Sequence, residues 1–285
     1  MRPFLNWAGG KRWLVSNYPE SLTQTEGRYI EPFLGSGAVF FHLQPSSSLL
    51  SDVNSQLVET FAAVRDDSGR VYDKLREHQR RHCSEYYYRM RRSRPRTAAT
   101  RAARLIYLNR TCFNGLYRVN LKGEFNVPIG SKQSVVLPDD DFAAWATALA
   151  SSELVAQDFE LTLESARKGD FVYVDPPYTV KHNMNNFVKY NEHIFSWSDQ
   201  ERLARSLTAV VDRGACVVLS NADHPSVREL YGSRSWDHMT VCRHSRLAAS
   251  SDHRRPTTEL LISSRTNTAA HAQKRTATGS DVRAG

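Results

Sequence analysis

Apolar and polar positions along this chain alternate between short, mainly apolar blocks and longer stretches with a helical period. The blocks are Tyr29–Phe33, Leu49–Ser51, Leu154–Ala156, Phe171–Val174, Ala215–Ser220 and Glu259–Ser263. Runs apolar on consecutive positions predict strands buried on both faces, as in a parallel sheet. Ala38–Leu43 and residues 55–66 predict helices, the second capped by Asn54, and residues 198–213 form an amphipathic one. The alternation breaks at residues 70–150, which are basic and then rich in Asn, Gly and Tyr around 109–130. This segment predicts an inserted, mostly helical domain with a hairpin-like loop near Lys122-Gly123. Residues 179–195 are polar without periodicity and predict a mobile loop. Residues 266–285 are poor in apolar side chains and predict a disordered tail. The resulting organisation is an α/β domain over 1–69 and 151–265, an insert over 70–150 and the tail. No internal repeat is visible.

The strand at 171–174 stops at Asp175-Pro176-Pro177-Tyr178. Proline cannot donate to a ladder, so these residues fall just past the carboxyl end of a central strand. Open α/β sheets bind ligands there. A carboxylate and a rigid proline carbonyl accept from an amino group, and a tyrosine stacks on a ring face, so the four residues suit a planar, amino-bearing ring. The same four residues are also good turn chemistry.

The amino-terminal half carries a second site. Gly35-Ser36-Gly37 forms a tight loop between a strand and a helix, and Asp52 ends the next strand. That order is a mononucleotide-binding half. Phe40 stands where a dinucleotide fingerprint has its third glycine, which argues against a pyrophosphate on the helix. Asp52 can accept from both hydroxyls of a ribose. A ligand with adenosine but no diphosphate fits best, and S-adenosylmethionine is such a ligand. Its carboxylate suits Lys11, and its amino group requires acceptors near Gly35 and Asp175.

Charge adds a partner. The chain of 285 residues has a net charge of +8, and residues 76–110 hold eleven arginines against two glutamates. That local excess of nine exceeds the charge of the whole chain, and it reads either as a polyanion site or as a solvated helical face. No apolar run is long enough to span a membrane, and the start lacks a signal-peptide core, so a cytosolic protein is expected. Four scattered cysteines and ten histidines without ligand spacing give no expectation of a disulfide framework or a metal.

Five separated motifs then carry a resemblance. Trp7-Ala8-Gly9-Gly10-Lys11, Glu31-Pro32-Phe33-Leu34-Gly35-Ser36-Gly37, Asp52-Val53-Asn54, Asn109 through Asn120 with Gly123–Pro128, and Asp175-Pro176-Pro177-Tyr178 stand in the order found in Dam-type DNA adenine-N6 methyltransferases. The resemblance covers about residues 4–264. It implies a Rossmann-like methyltransferase sheet with an inserted target-recognition domain. It implies an S-adenosylmethionine site built from Trp7, Lys11, Phe33, Gly35, Ser36, Gly37, Asp52, Asn54 and Asp175, with Asp158 and Phe159 holding the adenine of the cofactor. It implies double-stranded DNA as substrate, no metal, and a monomer or two copies on a palindromic site, in a bacterial or viral setting.

The family's usual site is GATC. By the same resemblance the target adenine is flipped out of the duplex, Tyr178 stacks on it, and Asp175 with the Pro176 carbonyl accepts from its N6 hydrogens. Arg118 suits guanine O6 and N7, and Leu116 suits a thymine methyl. Phe113 wedges into the stack, Asn114 engages the orphaned thymine, and Arg110, Asn120 and Asn126 are expected at phosphates. One departure stands out: Asn6 occupies a position where the family often has a lysine on the first guanine. Asparagine prefers adenine in the major groove, so relaxed reading of the first base is expected.

Overall fold

The computed structural model describes residues 1–22, 26–120, 123–181, 195–243 and 257–265. Most of the expected loop at 179–195, Lys122 of the hairpin tip and the expected tail lie outside these residues. The elements in chain order are α1 (Arg12–Asn17), β1 (Tyr29–Glu31), α2 (Ala38–Leu43), β2 (Ser48–Asp52), α3 (Ser55–Asp66), α4 (Ser68–Arg81), α5 (Ser84–Arg92) and α6 (Ala98–Thr111). There follow α7 (Phe142–Leu149), β3 (Ser152–Ala156), α8 (Phe159–Glu164), β4 (Phe171–Val174), α9 (Trp197–Asp212), β5 (Cys216–Ala222), α10 (Pro225–Leu230), β6 (Trp236–Arg243) and β7 (Thr257–Ser264). The seven strands form a sheet in the order β3-β2-β1-β4-β5-β7-β6. This is the Rossmann-like α/β arrangement the sequence predicts.

Two compact units divide the chain, Met1–Val15 with Leu34–Gln157, and Ser16–Phe33 with the described part of Asp158–Gly285. In the first, β2 and β3 run parallel, Asp52 opposite Ala156. Asn54 caps α3 by accepting from the amides of Gln56 and Leu57. Phe4 sits 4.7 Å from Phe61 and 5.4 Å from Trp145, ring centre to ring centre. Each such buried side chain contributes about 1.5–3 kcal/mol by leaving water. Helices α4, α5 and α6 lie largely in the segment 70–150 expected as an insert, and their shared core is polar-aromatic: Tyr86, Tyr87 and Tyr107 are buried beside His78 and His82.

The arginines of 76–110 divide into two groups. Arg76, Arg80, Arg81, Arg89, Arg92, Arg94 and Arg96 are exposed. Arg104 instead donates to the carbonyls of Met90 and Arg91, satisfying orphan acceptors at the end of α5. Arg101 pairs with Glu59 across α6 and α3.

In the second unit β1, β4 and β5 are parallel, and β7 runs antiparallel to both β5 and β6. The residues of β4 are all buried, as their unbroken apolar pattern requires. The strand β6 has no counterpart in the sequence reading. It closes the sheet's end, and of its described side chains only Trp236 and Val241 are buried, so it has neither an apolar run nor an alternation.

Candidate active site

Strand order reverses between β1 and β4, and the crevice outside the carboxyl ends of two such strands is where this architecture binds ligands. Glu31-Pro32-Phe33 follows one strand and Asp175-Pro176-Pro177-Tyr178 the other. Asp175 and Tyr178 are half-buried. The Tyr178 hydroxyl lies 2.8 Å from Ser220 Oγ on β5 and donates to Glu259 Oε2 on β7 at 2.6 Å. Burial holds its pKa well above the ordinary phenol value, and the charges of Asp175 and Glu259 push it the same way, so it stays a donor. The backbone before it is also fixed: Gln200 Nε2 donates to the Pro177 carbonyl at 3.4 Å, and Asn221 Nδ2 donates to Gln200 Oε1. Ser220 and Asn221 are consecutive on β5 and so project to opposite faces of the sheet. One strand thus braces the ring from one side and the proline carbonyl from the other.

An aromatic cluster stands nearby in the chain order of the same unit. Phe33 stacks on Phe159 with centroids 5.4 Å apart, and Phe195 packs edge-on to Phe33. The Arg202 guanidinium lies 4.3 Å over the Phe159 ring and makes a two-pronged ion pair with Asp158, both contacts at 2.9 Å. It also reaches Glu160 and Asp199, and these carboxylates, Asp158 first, raise its pKa. Asp158 in turn caps α8 through the Glu160 amide. The Asp158-Phe159 pair is therefore held rigidly by Arg202, whose local sequence marks it only as part of the amphipathic α9.

In the first unit the glycine loop has the geometry its sequence demands. Gly35 has φ +48° and Gly37 φ +66°, both in the left-handed region. A Cβ at Gly35 would sit 3.0 Å from Trp7 Cδ1. Asp52 accepts from the Gly35 amide at 3.1 Å and from the Asn54 amide at 2.9 Å. Burial raises its pKa and these two amides oppose that shift. Asn54, not Asp52, is the helix cap, so Asp52 is held at the strand end by the loop it organises. Lys11 is buried, and its ammonium donates to the Gly9 carbonyl at 3.1 Å. Ser36 is buried as well.

The segment expected to recognise the target follows α6. Phe113 is 55 % exposed, which is unusual for an aromatic, and Asn114 beside it adopts φ +56°. Leu116 and Arg118 are half-exposed. Arg118 donates through Nε to Asn126 Oδ1 at 2.9 Å, and the Asn126 amide donates to the Arg118 carbonyl at 3.2 Å. Asn120 closes the hairpin, its Oδ1 accepting from the Glu124 amide and its Nδ2 donating to Glu124 Oε2. The side chains of Asn126 and Asn120 thus spend their described bonds inside the hairpin, the former orienting Arg118. Asn109 accepts from the Asn6 amide at 2.8 Å and donates to the Asn6 carbonyl at 2.7 Å and the Gly115 carbonyl at 3.4 Å. It ties Asn6 to the loop that follows α6.

One expected phosphate contact is corrected. Arg110 is 2 % exposed. Its guanidinium pairs two-pronged with Asp140 and donates to the carbonyls of Phe4 and Val135. A cation so completely engaged inside the fold ties α6 to Phe4, Val135 and Asp140 and does not face solvent.

Among the described residues no cluster of three or more His, Cys, Asp or Glu could hold a metal, and no helix is long and apolar enough to cross a membrane. Comparison with known proteins gives the same direction as the site. The chain is 35% identical over 240 residues to the type II methyltransferase M1.LlaDCHI of Lactococcus lactis subsp. cremoris, covering 81% of this chain and 84% of that one. It is 35% identical over 244 residues to the type II methyltransferase M.MjaIII of Methanocaldococcus jannaschii, covering 78% and 84%. It is 32% identical over 264 residues to the DNA adenine methylase of Escherichia coli K12, covering 91% and 94%. Residues 7–244 match the D12 class N6 adenine-specific DNA methyltransferase family, and the chain belongs to that family.

Proposed function

We propose that this methyltransferase acts on adenine N6 within duplex GATC, or a variant relaxed at the first base, after flipping the adenine out of the stack. The observation that supports this most directly is the braced Tyr178: its hydroxyl is tied to Ser220 and Glu259 while the residue stays half-exposed beside Asp175. A ring held in one plane next to a carboxylate and a proline carbonyl is a seat for a planar base with an exocyclic amine.

S-adenosylmethionine is the family's cofactor, and when bound it supplies an electrophilic methyl group. The residues of the first unit fit it. The bare Cα of Gly35 gives a backbone approach that a side chain would fill, and Asp52, anchored by two amides, offers acceptors for a ribose. Trp7 and Lys11 complete that half. In the second unit, Phe33 and Phe159 suit an adenine ring by stacking and Asp158 by its carboxylate.

Within the reaction, N6 of adenine is a weak nucleophile because its lone pair is delocalised into the ring. Asp175 and the Pro176 carbonyl accept hydrogen bonds from its two N–H groups, which draws the nitrogen towards a tetrahedral shape and localises the pair. Tyr178 holds the ring against those acceptors. Most of the rate then comes from positioning and from electrostatic stabilisation as charge grows on N6. Taking a base from the stack costs a few kcal/mol, and Phe113 with Asn114 would offset part of it by filling the gap and engaging the abandoned partner base.

Residues 70–150 act as the DNA-reading domain, with Arg118 on a guanine, Leu116 on a thymine methyl and the exposed arginines of α4 and α5 along phosphates. The protein acts as a monomer, or as two copies on the palindrome. The test is transfer of labelled methyl from S-adenosylmethionine to duplexes containing one GATC, AATC, CATC or TATC, beside a scrambled duplex and Asp175→Ala. Incorporation at GATC and its first-base variants, lost in Asp175→Ala, is expected. Strict dependence on the first guanine would overturn the relaxed reading at Asn6, and equal incorporation into the scrambled duplex would overturn site specificity.

A further inference from the structure

We propose that Glu259 and Ser220 are positioning residues for base binding: together they hold the Tyr178 hydroxyl and so set the plane against which the target adenine stacks. This rests on the reading of Tyr178 given above. Glu259 lies 81 residues after Tyr178 in the chain and beyond the family match at 7–244. It comes from β7, a strand that runs against the direction of β4 and β5.

Three facts carry the argument. Glu259 is 3 % exposed and Ser220 1 % exposed. Burying a carboxylate is costly unless its oxygens are hydrogen-bonded, so this one is retained against a penalty that an apolar residue would avoid. Glu259 Oε2 accepts from the Tyr178 hydroxyl at 2.6 Å and from Ser220 Oγ at 3.4 Å, the first within the range of strong charge-assisted bonds. Finally, the other end of Tyr178 is fixed too, because Gln200 grips the Pro177 carbonyl and Thr179 Oγ1 donates to the Phe195 carbonyl at 2.6 Å. A tyrosine has two rotatable side-chain bonds. With its backbone and its hydroxyl both held, neither is free, and the ring meets the base without first being ordered.

The experiment compares Tyr178→Phe, Glu259→Ala, Glu259→Gln, Ser220→Ala, Tyr178→Ala and the double variant Tyr178→Phe/Glu259→Ala. The readouts are kcat for methyl transfer, the Kd for S-adenosylmethionine, thermal melting, and fluorescence of a duplex with 2-aminopurine in place of the target adenine, which brightens when unstacked. Tyr178→Phe and Glu259→Ala are expected to lower kcat by roughly 10-fold or more, the scale of losing a hydrogen bond to a charged group. The cofactor Kd stays unchanged, Glu259→Gln recovers part of the loss, and the double variant is no worse than either single one, because both remove the same bond. Wild-type kcat in Tyr178→Phe, or losses that multiply in the double variant, would overturn the inference. Should Glu259→Ala melt out, Tyr178→Phe and Ser220→Ala carry the test. Tyr178→Ala separates the two levels. If it alone abolishes flipping while the other variants are normal, only this inference falls; if it too leaves turnover and fluorescence intact, the stacking role of Tyr178 falls with it.

Discussion

The indole of Trp7 lies against the ring of Tyr117, centroids 4.9 Å apart and 22° from parallel. Trp7 also backs Gly35, while Tyr117 sits between Leu116 and Arg118 and packs on Phe125. The segment proposed to read bases and the loop proposed to hold the cofactor therefore share one aromatic contact. Stacked pairs are worth about 0.5–1.5 kcal/mol beyond their burial. Tyr117→Ala is expected to weaken S-adenosylmethionine binding by roughly 2- to 12-fold, with Tyr117→Phe close to wild type. Titration calorimetry without DNA checks this, and an unchanged affinity in Tyr117→Ala would show that Trp7 is held by other contacts.

Gly35 leaves little room for change in the Gly35–Gly37 loop. An L residue in the left-handed region costs about 1–2 kcal/mol, and here its Cβ would also press on Trp7. Gly35→Ala should lower the melting temperature and weaken S-adenosylmethionine by roughly 10-fold while leaving duplex binding within about twofold. Loss of duplex binding of the same size as loss of cofactor binding would mean that the change unfolds the unit and does not act locally.

Much of this was legible in the sequence because local physics decided it. Asn54 is a cap wherever it precedes a helix, Gly35 and Gly37 stand where only positive φ closes the loop, and Phe171–Val174 has no polar face to expose. The residues that were not legible act over distance. Glu259 reads as one polar residue in an apolar strand, and only the fold brings it to Tyr178. Arg202 looks like the solvated face of an amphipathic helix until Asp158 and Phe159 are placed beneath it. Arg110 failed for the converse reason. Its charge and its place in a recognition motif suggested a phosphate, but nothing in the local sequence reveals that Asp140, thirty positions on, neutralises it in the core.

That correction is directly measurable. Removing one partner of a buried ion pair leaves the other charge stranded and costs about 3–5 kcal/mol. Arg110→Ala should therefore move the urea midpoint strongly. Folded Arg110→Ala, where enough survives at low temperature, should bind duplex with an unchanged salt dependence. A true phosphate contact would instead leave stability alone and lower the slope of log K against log salt by about 0.9. The two outcomes are opposite in both measurements.

Acid should loosen the insert through His78. Its ring stacks on Tyr107 at 4.8 Å, and Nδ1 shares a 2.7 Å hydrogen bond with the Tyr86 hydroxyl. Burial lowers its pKa from 6.5 to about 4, with Glu77 opposing and Arg81, Lys74 and Arg104 reinforcing the shift. The folded state therefore keeps the ring neutral where the unfolded chain already binds a proton. Between pH 6.5 and about 4 the unfolded state holds more protons, so stability falls as pH drops through that window, is complete above it and levels off below it. Titrating carboxylates elsewhere add their own slope, which a His78→Gln variant shares. Urea midpoints measured from pH 7.5 to 4 should fall more steeply for the native chain than for His78→Gln, and the two curves should converge in slope near neutrality. Parallel curves across the whole range would mean that His78 is protonated in the folded protein as readily as in the unfolded one, and that the aromatic core of the insert admits the charge.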